Sequence, residues 1–349
     1  MDDIKRVLIL GGSWFLGRAI AEAAVGTGTE VTVFRRGLSG SDAGGVNAIY
    51  GDRANPDDVA RLAKAGSWDA VIDTSSYTPR NTLQLARGLE PVAEKYVLIS
   101  TVAVYSDWPL QPLTESSPVL QCPADAGPDF EFAGETRHSR YAVNKAGCER
   151  AVMDTFGPDR AAVLRPGVIL GPGEYVGRLE WWLRRMRRGG RVLGPGSPRR
   201  PIQPVDVRDV AAFALYAATR SGLWNVTASG CDTMGELLQG CNAVAAGGAA
   251  QIDWITDEHW LKAQHIVEFK ELPLWRICAG TWAVDSARAR GAGLNCRPLI
   301  ETVTDTWEWL AHGGLAIAHQ RSKEIGISPD REQAVLHAWD EHRNAGGRA

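Results

Sequence analysis

The chain has 349 residues, 44% of them hydrophobic and 23% charged, which suits one large domain with a smaller one, or one long α/β unit. A formal net charge of −3 gives no electrostatic reason to expect nucleic acid or a membrane as partner, and no apolar run approaches the ~18 residues of a membrane span. The cysteines show no C-x-x-C pairing and the histidines no H-x-x-x-H or H-x-E spacing, so no metal site is expected and the thiols read as reduced. The opening MDDIKRVLIL leads straight into an apolar segment too short for a secretion signal, so the cytoplasm is the expected compartment.

From residue 5 to about 165, short β-branched or apolar runs alternate with helical patterns, which predicts a parallel sheet with crossover helices. The expected strands are Arg6–Leu10, Glu30–Phe34, Ala48–Tyr50, Ala70–Asp73, Tyr96–Ser100 and Ala161–Leu164. Apolar residues at three- and four-residue spacing place helices at 15–26, 56–66, 79–92 and 139–156. The segment from about 106 to 138, rich in Pro, Ser, Asp and Gly, has the length of a lid or binding loop. After residue 167 the pattern becomes irregular, with helices expected near 206–219, 233–246, 298–312 and 329–345. Ten of the thirteen tryptophans lie from Trp181 onward, which suits either the core of a helical cap or an aromatic substrate pocket.

The first strand runs into Gly11-Gly12-Ser13-Trp14-Phe15-Leu16-Gly17 and then an apolar helix, the setting in which a glycine turn brings amides to a pyrophosphate. Gly11 would make the tight turn, Gly12 and Ser13 would supply amides, and Gly17 would let the helix pack closely. The second strand ends Phe34-Arg35-Arg36, where two guanidiniums would pair with a 2′-phosphate and a carboxylate would repel it, so NADP is expected over NAD. Asp52, with Arg53, follows the third strand, where it could accept from an adenine amino group. Thr74 and Ser75 follow the fourth, where the chain would pass the ribose and pyrophosphate.

The fifth strand ends in Ser100-Thr101, and forty residues on a helix carries Tyr141 and Lys145 at i and i+4, on one face. An ammonium beside a phenol favours its ionised form, so Tyr141 would serve as acid or base, Lys145 would tune it and hold the nicotinamide ribose, and Thr101 would hold the substrate oxygen.

These residues resemble the extended or atypical short-chain dehydrogenase/reductase superfamily, in particular its NAD-dependent epimerase/dehydratase-like group. The likeness covers about residues 5 to 310 and is carried by GGSWFLG, YGDR, LISTVAVYS, LTESSP, YAVNK, LRPGVILGPG and PIQPVDVRDVA. The resemblance implies a Rossmann α/β domain, a doubly wound parallel sheet, with a smaller, mostly helical C-terminal substrate domain. Residues 1–170, with a return near 201–227, would form the first, and 171–349 mainly the second. It also implies that Thr101, Tyr141 and Lys145 are catalytic, that Ser100 and the turn Arg165-Pro166-Gly167 lie beside the cofactor, and that Tyr105, Trp181 and Trp182 face the substrate.

The arginines at 178, 184, 185, 187, 188 and 191 could hold a diphosphate, although a helix cannot aim them all at one ligand and a solvated face accounts for most. The leading expectation is therefore an NADP-dependent oxidoreductase of a small, sugar- or nucleoside-like metabolite. The alternatives are a nucleotide-sugar epimerase or dehydratase, and an NADP-sensing or RNA-binding regulator. A homodimer is an expectation from the family alone.

Overall fold

The structure, a computed structural model, describes residues 4–38, 40–131 and 139–346. The chain runs β1 (Arg6–Leu10), α1 (Phe15–Gly26), β2 (Glu30–Arg35), β3 (Val46–Tyr50), α2 (Pro56–Lys64), β4 (Trp68–Asp73), α3 (Pro79–Leu89), β5 (Ala93–Ile99), α4 (Arg140–Phe156), β6 (Ala161–Pro166) and β7 (Ile169–Leu170). It continues through α5 (Arg178–Arg187), β8 (Arg191–Pro195), β9 (Val205–Asp206), α6 (Val207–Ala217), β10 (Gly222–Val226), α7 (Met234–Ala246) and β11 (Gln251–Ile255). The last helices are α8 (Glu258–Ala263), α9 (Ala287–Gly291), α10 (Leu299–Ala311) and α11 (Pro329–Gly346). Two compact units result: Met1–Ile169 with Val205–Ala228 and Ala283–Cys296, and Leu170–Pro204 with Ser229–Trp282 and Arg297–Ala349.

The first unit is a Rossmann-type α/β layer structure. Its seven strands lie in the order β10-β6-β5-β4-β1-β2-β3, and every ladder is parallel. Alternation along the strands makes two faces. Val7 and Ile9 point with Val33 and Ile72 toward Ile20 of α1 and Val210 of α6. Leu8 and Leu10 point the other way, with Val71 and Leu98, toward Leu62 of α2, Leu85 of α3 and Val152 of α4. Leu16 and Ile20 alone give α1 roughly 3–6 kcal/mol of docking free energy, enough to hold a helix that would be marginal in isolation. The direction of strand addition reverses between β1 and β4, which is where such sheets open a crevice for ligands.

In the first unit three features depart from the sequence expectations. A seventh strand, β10, adds to the sheet beside β6, because Asn225 in its middle is buried and satisfied by long-range partners rather than marking a loop. Residues 283–296, assigned to the cap by sequence, belong to the first unit: Asn225 Nδ2 donates to Asp285 O (2.9 Å), and Leu113 N to Ala283 O (2.8 Å). The expected lid is stitched down over its described part, with Tyr105 bridged to Val119 and Leu113 to Val284; its end, 132–138, lies outside the described residues.

In the second unit, α5, α7 and α10 pack together, β8 and β11 form a parallel pair, and α11 leans on β8. Trp182 and Trp275 are fully buried there. Helix α5, which bears most of the arginine cluster, carries Leu179, Trp182, Leu183 and Met186 at helical spacing, all of them buried.

Candidate active site

The glycine turn after β1 fits an anion cradle. Gly11 and Gly12 have φ of 111° and 97°, and Gly11 N donates to Phe34 O (3.0 Å). A Cβ on Gly11 would stand 2.4 Å from Thr74 Oγ1, and one on Gly17 would stand 2.6 Å from Gly12 N, so side chains are excluded where a phosphate's path needs bare backbone. Ser13 and Leu16 are buried in the turn; Trp14, with extended backbone, stands at the N-cap of α1, and Phe15 takes φ 41°. The first turn of α1 holds no carboxylate, leaving its positive end to an anionic group. The residues present therefore fit a dinucleotide pyrophosphate.

At the end of β2, Arg35 is already engaged: its Nε lies 2.6 Å from Asp42 Oδ1 and its guanidinium sits over the Tyr50 ring. That hydrogen bond, outweighing burial, holds the Asp42 carboxyl below the usual carboxylate range. Arg36 is exposed. The side chain of Asp52 accepts from Ala54 N (2.9 Å) and shapes the turn into α2.

Arg53 turns inward. It forks onto Asp73 at 2.9 and 2.7 Å and reaches Ser75 Oγ at 2.8 Å. Asp73 is fully buried and also accepts from Tyr96 Oη (2.7 Å), Ser75 N (2.9 Å) and Ser76 Oγ. Burial alone would raise its pKa, but Arg53 and the hydroxyls outweigh it and hold the carboxyl far below the usual range. Thr74 Oγ1 and Ser75 Oγ both donate to Leu10 O, at 2.9 and 3.2 Å, so these two residues lock β4 to β1 at the mouth of the crevice.

Ser139 caps α4, accepting from Ala142 N at 3.2 Å, and starts the helix so that Tyr141 and Lys145 share a face. Lys145 is 3% exposed, with Nζ donating to Ser76 O (3.0 Å) and Ile99 O (2.5 Å), and burial pushes its pKa down. Tyr141 is 44% exposed, and Thr101 Oγ1 accepts from Ala103 N (3.2 Å). Sequence reasoning missed Tyr77. Its ring centroid is 6.3 Å from that of Tyr141 and 6.0 Å from Lys145 Nζ, and Asn144 Nδ2 pins its carbonyl at 3.1 Å. The signal was there, two residues past Ser75 on the same strand-end segment.

Other expected contacts are spent inside the protein. Ser100 Oγ donates to Glu149 Oε1 (2.5 Å), and Arg165 forks onto Glu149 at 2.9 and 2.5 Å while lying over the Tyr105 ring. Tyr105, expected at the substrate, is fully buried and donates to Asn225 Oδ1 (2.7 Å). Pro166 ends β6, and Gly167 N donates to Val226 O (3.2 Å). In the second unit Trp182 is core, its Nε1 donating to Pro273 O (2.8 Å), with half-buried Trp181 edge-on beside it. Of the arginine cluster, Arg178, Arg184, Arg185 and Arg191 pair with Glu174, Glu180, Glu332, and Asp253 and Asp340 respectively. Among the described residues no three His, Cys, Asp or Glu side chains converge as metal ligands, and no helix is long and apolar enough to cross a membrane.

A parallel Rossmann sheet, a glycine turn fitted to a pyrophosphate, and a tyrosine one turn from a buried lysine define an NAD(P)-dependent enzyme of the short-chain dehydrogenase/reductase type. The model of the NAD dependent epimerase/dehydratase family matches residues 7–226, and the chain belongs to that family. It is 29% identical to the 2-alkyl-3-oxoalkanoate reductase of Stenotrophomonas maltophilia over 62% of this chain and 67% of that protein. It is 26% identical to the chloroplast stem-loop binding protein of 41 kDa b of Arabidopsis thaliana over 70% of this chain and 64% of that one. The fold is shared with the Bordetella bronchiseptica enzyme WbmG, solved in complex with NAD, at a TM-score of 0.66 and 15% identity over 90% of this chain and 96% of that one.

Proposed function

We propose that the chain is an NADP-dependent reductase of a small carbonyl compound, working also as the corresponding alcohol dehydrogenase, with Tyr141 as its acid and base. The single observation that carries this is the placement of Lys145: buried, held by two backbone carbonyls, and one helical turn from Tyr141 on the same face of α4. Two of its three N–H groups are used, leaving the third for a ribose hydroxyl.

When bound, the nicotinamide supplies or takes the hydride. In the reducing direction Tyr141 gives its proton to the carbonyl oxygen as that oxygen becomes a hydroxyl, and the Lys145 charge stabilises the phenolate left behind. Thr101 Oγ1 accepts from Ala103 N, which leaves its own O–H able to donate to the same oxygen. The reductase activity named for the Stenotrophomonas relative supports this direction.

The preference for NADP rests on Arg36, since β2 ends without a carboxylate and Arg35 is shared with Asp42. Replacing Arg36 by Asp should lower the preference for NADPH over NADH by about ten- to a hundredfold, the worth of one charge-assisted contact. Titrating wild type and variant with both cofactors checks it, and unchanged ratios would reject the assignment.

The reaction itself is tested by following the absorbance of NADPH with a 2-alkyl-3-oxo acid, an α-diketone and a keto-sugar. Stoichiometric consumption with any of them supports reduction. Turnover of a nucleotide sugar without net cofactor change would place the chain among epimerases instead, and tight binding of a stem-loop RNA with no turnover would overturn the enzymatic proposal.

A further inference from the structure

We propose that Glu149 is a positioning residue that sets the end of β5, and with it the Thr101 hydroxyl, against the Tyr141 and Lys145 face of α4. The inference rests on the reading of those three residues as the proton-handling set.

Tyr141, Lys145 and Glu149 are spaced four apart and so share one stripe of α4. Two successive residues of the β5 end are tied to two successive turns of that stripe: Ile99 O accepts from Lys145 Nζ (2.5 Å), and Ser100 Oγ donates to Glu149 Oε1 (2.5 Å). Thr101 comes next. The last bond of the β5–β6 ladder region is Ser100 N to Leu164 O (2.6 Å), and beyond it Thr101 turns away into the short 102–104 helix. The register of Thr101 against α4 is therefore set at Ser100.

Arg165 completes the arrangement from β6. Its Nε and Nη2 occupy both oxygens of Glu149, at 2.9 and 2.5 Å, and its guanidinium lies 4.6 Å from the centroid of Tyr105, which is itself bonded to Asn225 of β10. Ser100, Glu149 and Arg165 are all more than nine-tenths buried. A buried ion pair contributes little to stability compared with apolar side chains of the same volume, so stability alone does not explain it. Only an acceptor at 149 can hold the Ser100 hydroxyl, and a charged acceptor holds it in one geometry.

The test compares wild type with Ser100→Ala, which leaves the ion pair whole, and with the double variant Glu149→Leu/Arg165→Met, which removes both charges together. Each is measured for thermal midpoint, NADPH dissociation constant, amide hydrogen exchange over 98–104, and kcat and KM on the best carbonyl acceptor of the panel above. Both variants should keep their midpoints and NADPH affinity, and both should exchange faster over 98–104. Their kcat should fall about ten- to a hundredfold with KM little changed, as expected for a reacting group misplaced by up to ~1 Å. Wild-type kcat and exchange in Ser100→Ala would overturn the proposal, and so would a loss of kcat that merely follows loss of NADPH binding and of thermal midpoint. If the double variant does not fold, Ser100→Ala decides alone. If no carbonyl is reduced by any form, the proton-handling reading fails while the exchange data still decide what Glu149 holds.

Discussion

Tyr141→Phe should lower kcat by about 10²- to 10⁴-fold while NADPH affinity stays near that of wild type. The substitution removes one hydroxyl from a side chain that is already 44% exposed, and the ring that faces Tyr77 at 6.3 Å is retained. Stability should therefore change by no more than about 1.5 kcal/mol, the net worth of a single hydrogen bond. Cofactor binding is assigned to other residues, at the glycine turn and the end of β2, so it should not register the loss. Steady-state rates on an accepted carbonyl, with a fluorescence titration of NADPH beside them, separate the two effects. A variant that keeps more than about a tenth of the wild-type rate would remove Tyr141 from the proton path, because acid–base catalysis is worth at least ~10²-fold where it operates.

The elements that were legible in sequence are those whose chemistry is local. The glycine turn can be read because φ above zero and close approach demand glycine at 11, 12 and 17 whatever the rest of the chain does. Tyr141 and Lys145 can be read because i and i+4 share a helix face by geometry alone. The strands of the first half follow from short β-branched or apolar runs set between helical patterns. What sequence misread are polar side chains whose partners lie far along the chain. Arg53 finds Asp73, 20 residues on; Ser100 finds Glu149, 49 on; Tyr105 finds Asn225, 120 on. Each lies within a few residues of a strand's C-terminal end, where a ligand contact is equally consistent with the local pattern, and only the folded register reveals the internal partner. Glu149 itself was overlooked although it continues the spacing of Tyr141 and Lys145, since a glutamate on a helix normally reads as a solvent face.

The Arg53–Asp73 pair gives the largest expected effect on stability. Arg53→Met should cost about 3–5 kcal/mol at neutral pH, because it leaves a fully buried carboxylate without its cation. The pH dependence should identify the cause. In wild type the folded-state pKa of Asp73 is depressed, so its contribution is present above the unfolded value of about 3.9 and is lost only as pH falls further toward the folded value. Without Arg53, desolvation dominates and raises the folded-state value above the unfolded one, so the variant gains protons on folding and its deficit should shrink as pH falls from 7 toward 4. Urea unfolding at both pH values measures this, and a deficit that is small, or the same at the two, would show that Ser75, Ser76 and Tyr96 satisfy the carboxylate without the guanidinium. Asp73 stands at the strand end from which Thr74 and Ser75 reach across to Leu10, beside the glycine turn. The charge buried there therefore holds the β4 end beside the glycine turn, and under the proposed cofactor assignment an Arg53 variant that still folds at low pH should bind NADPH more weakly.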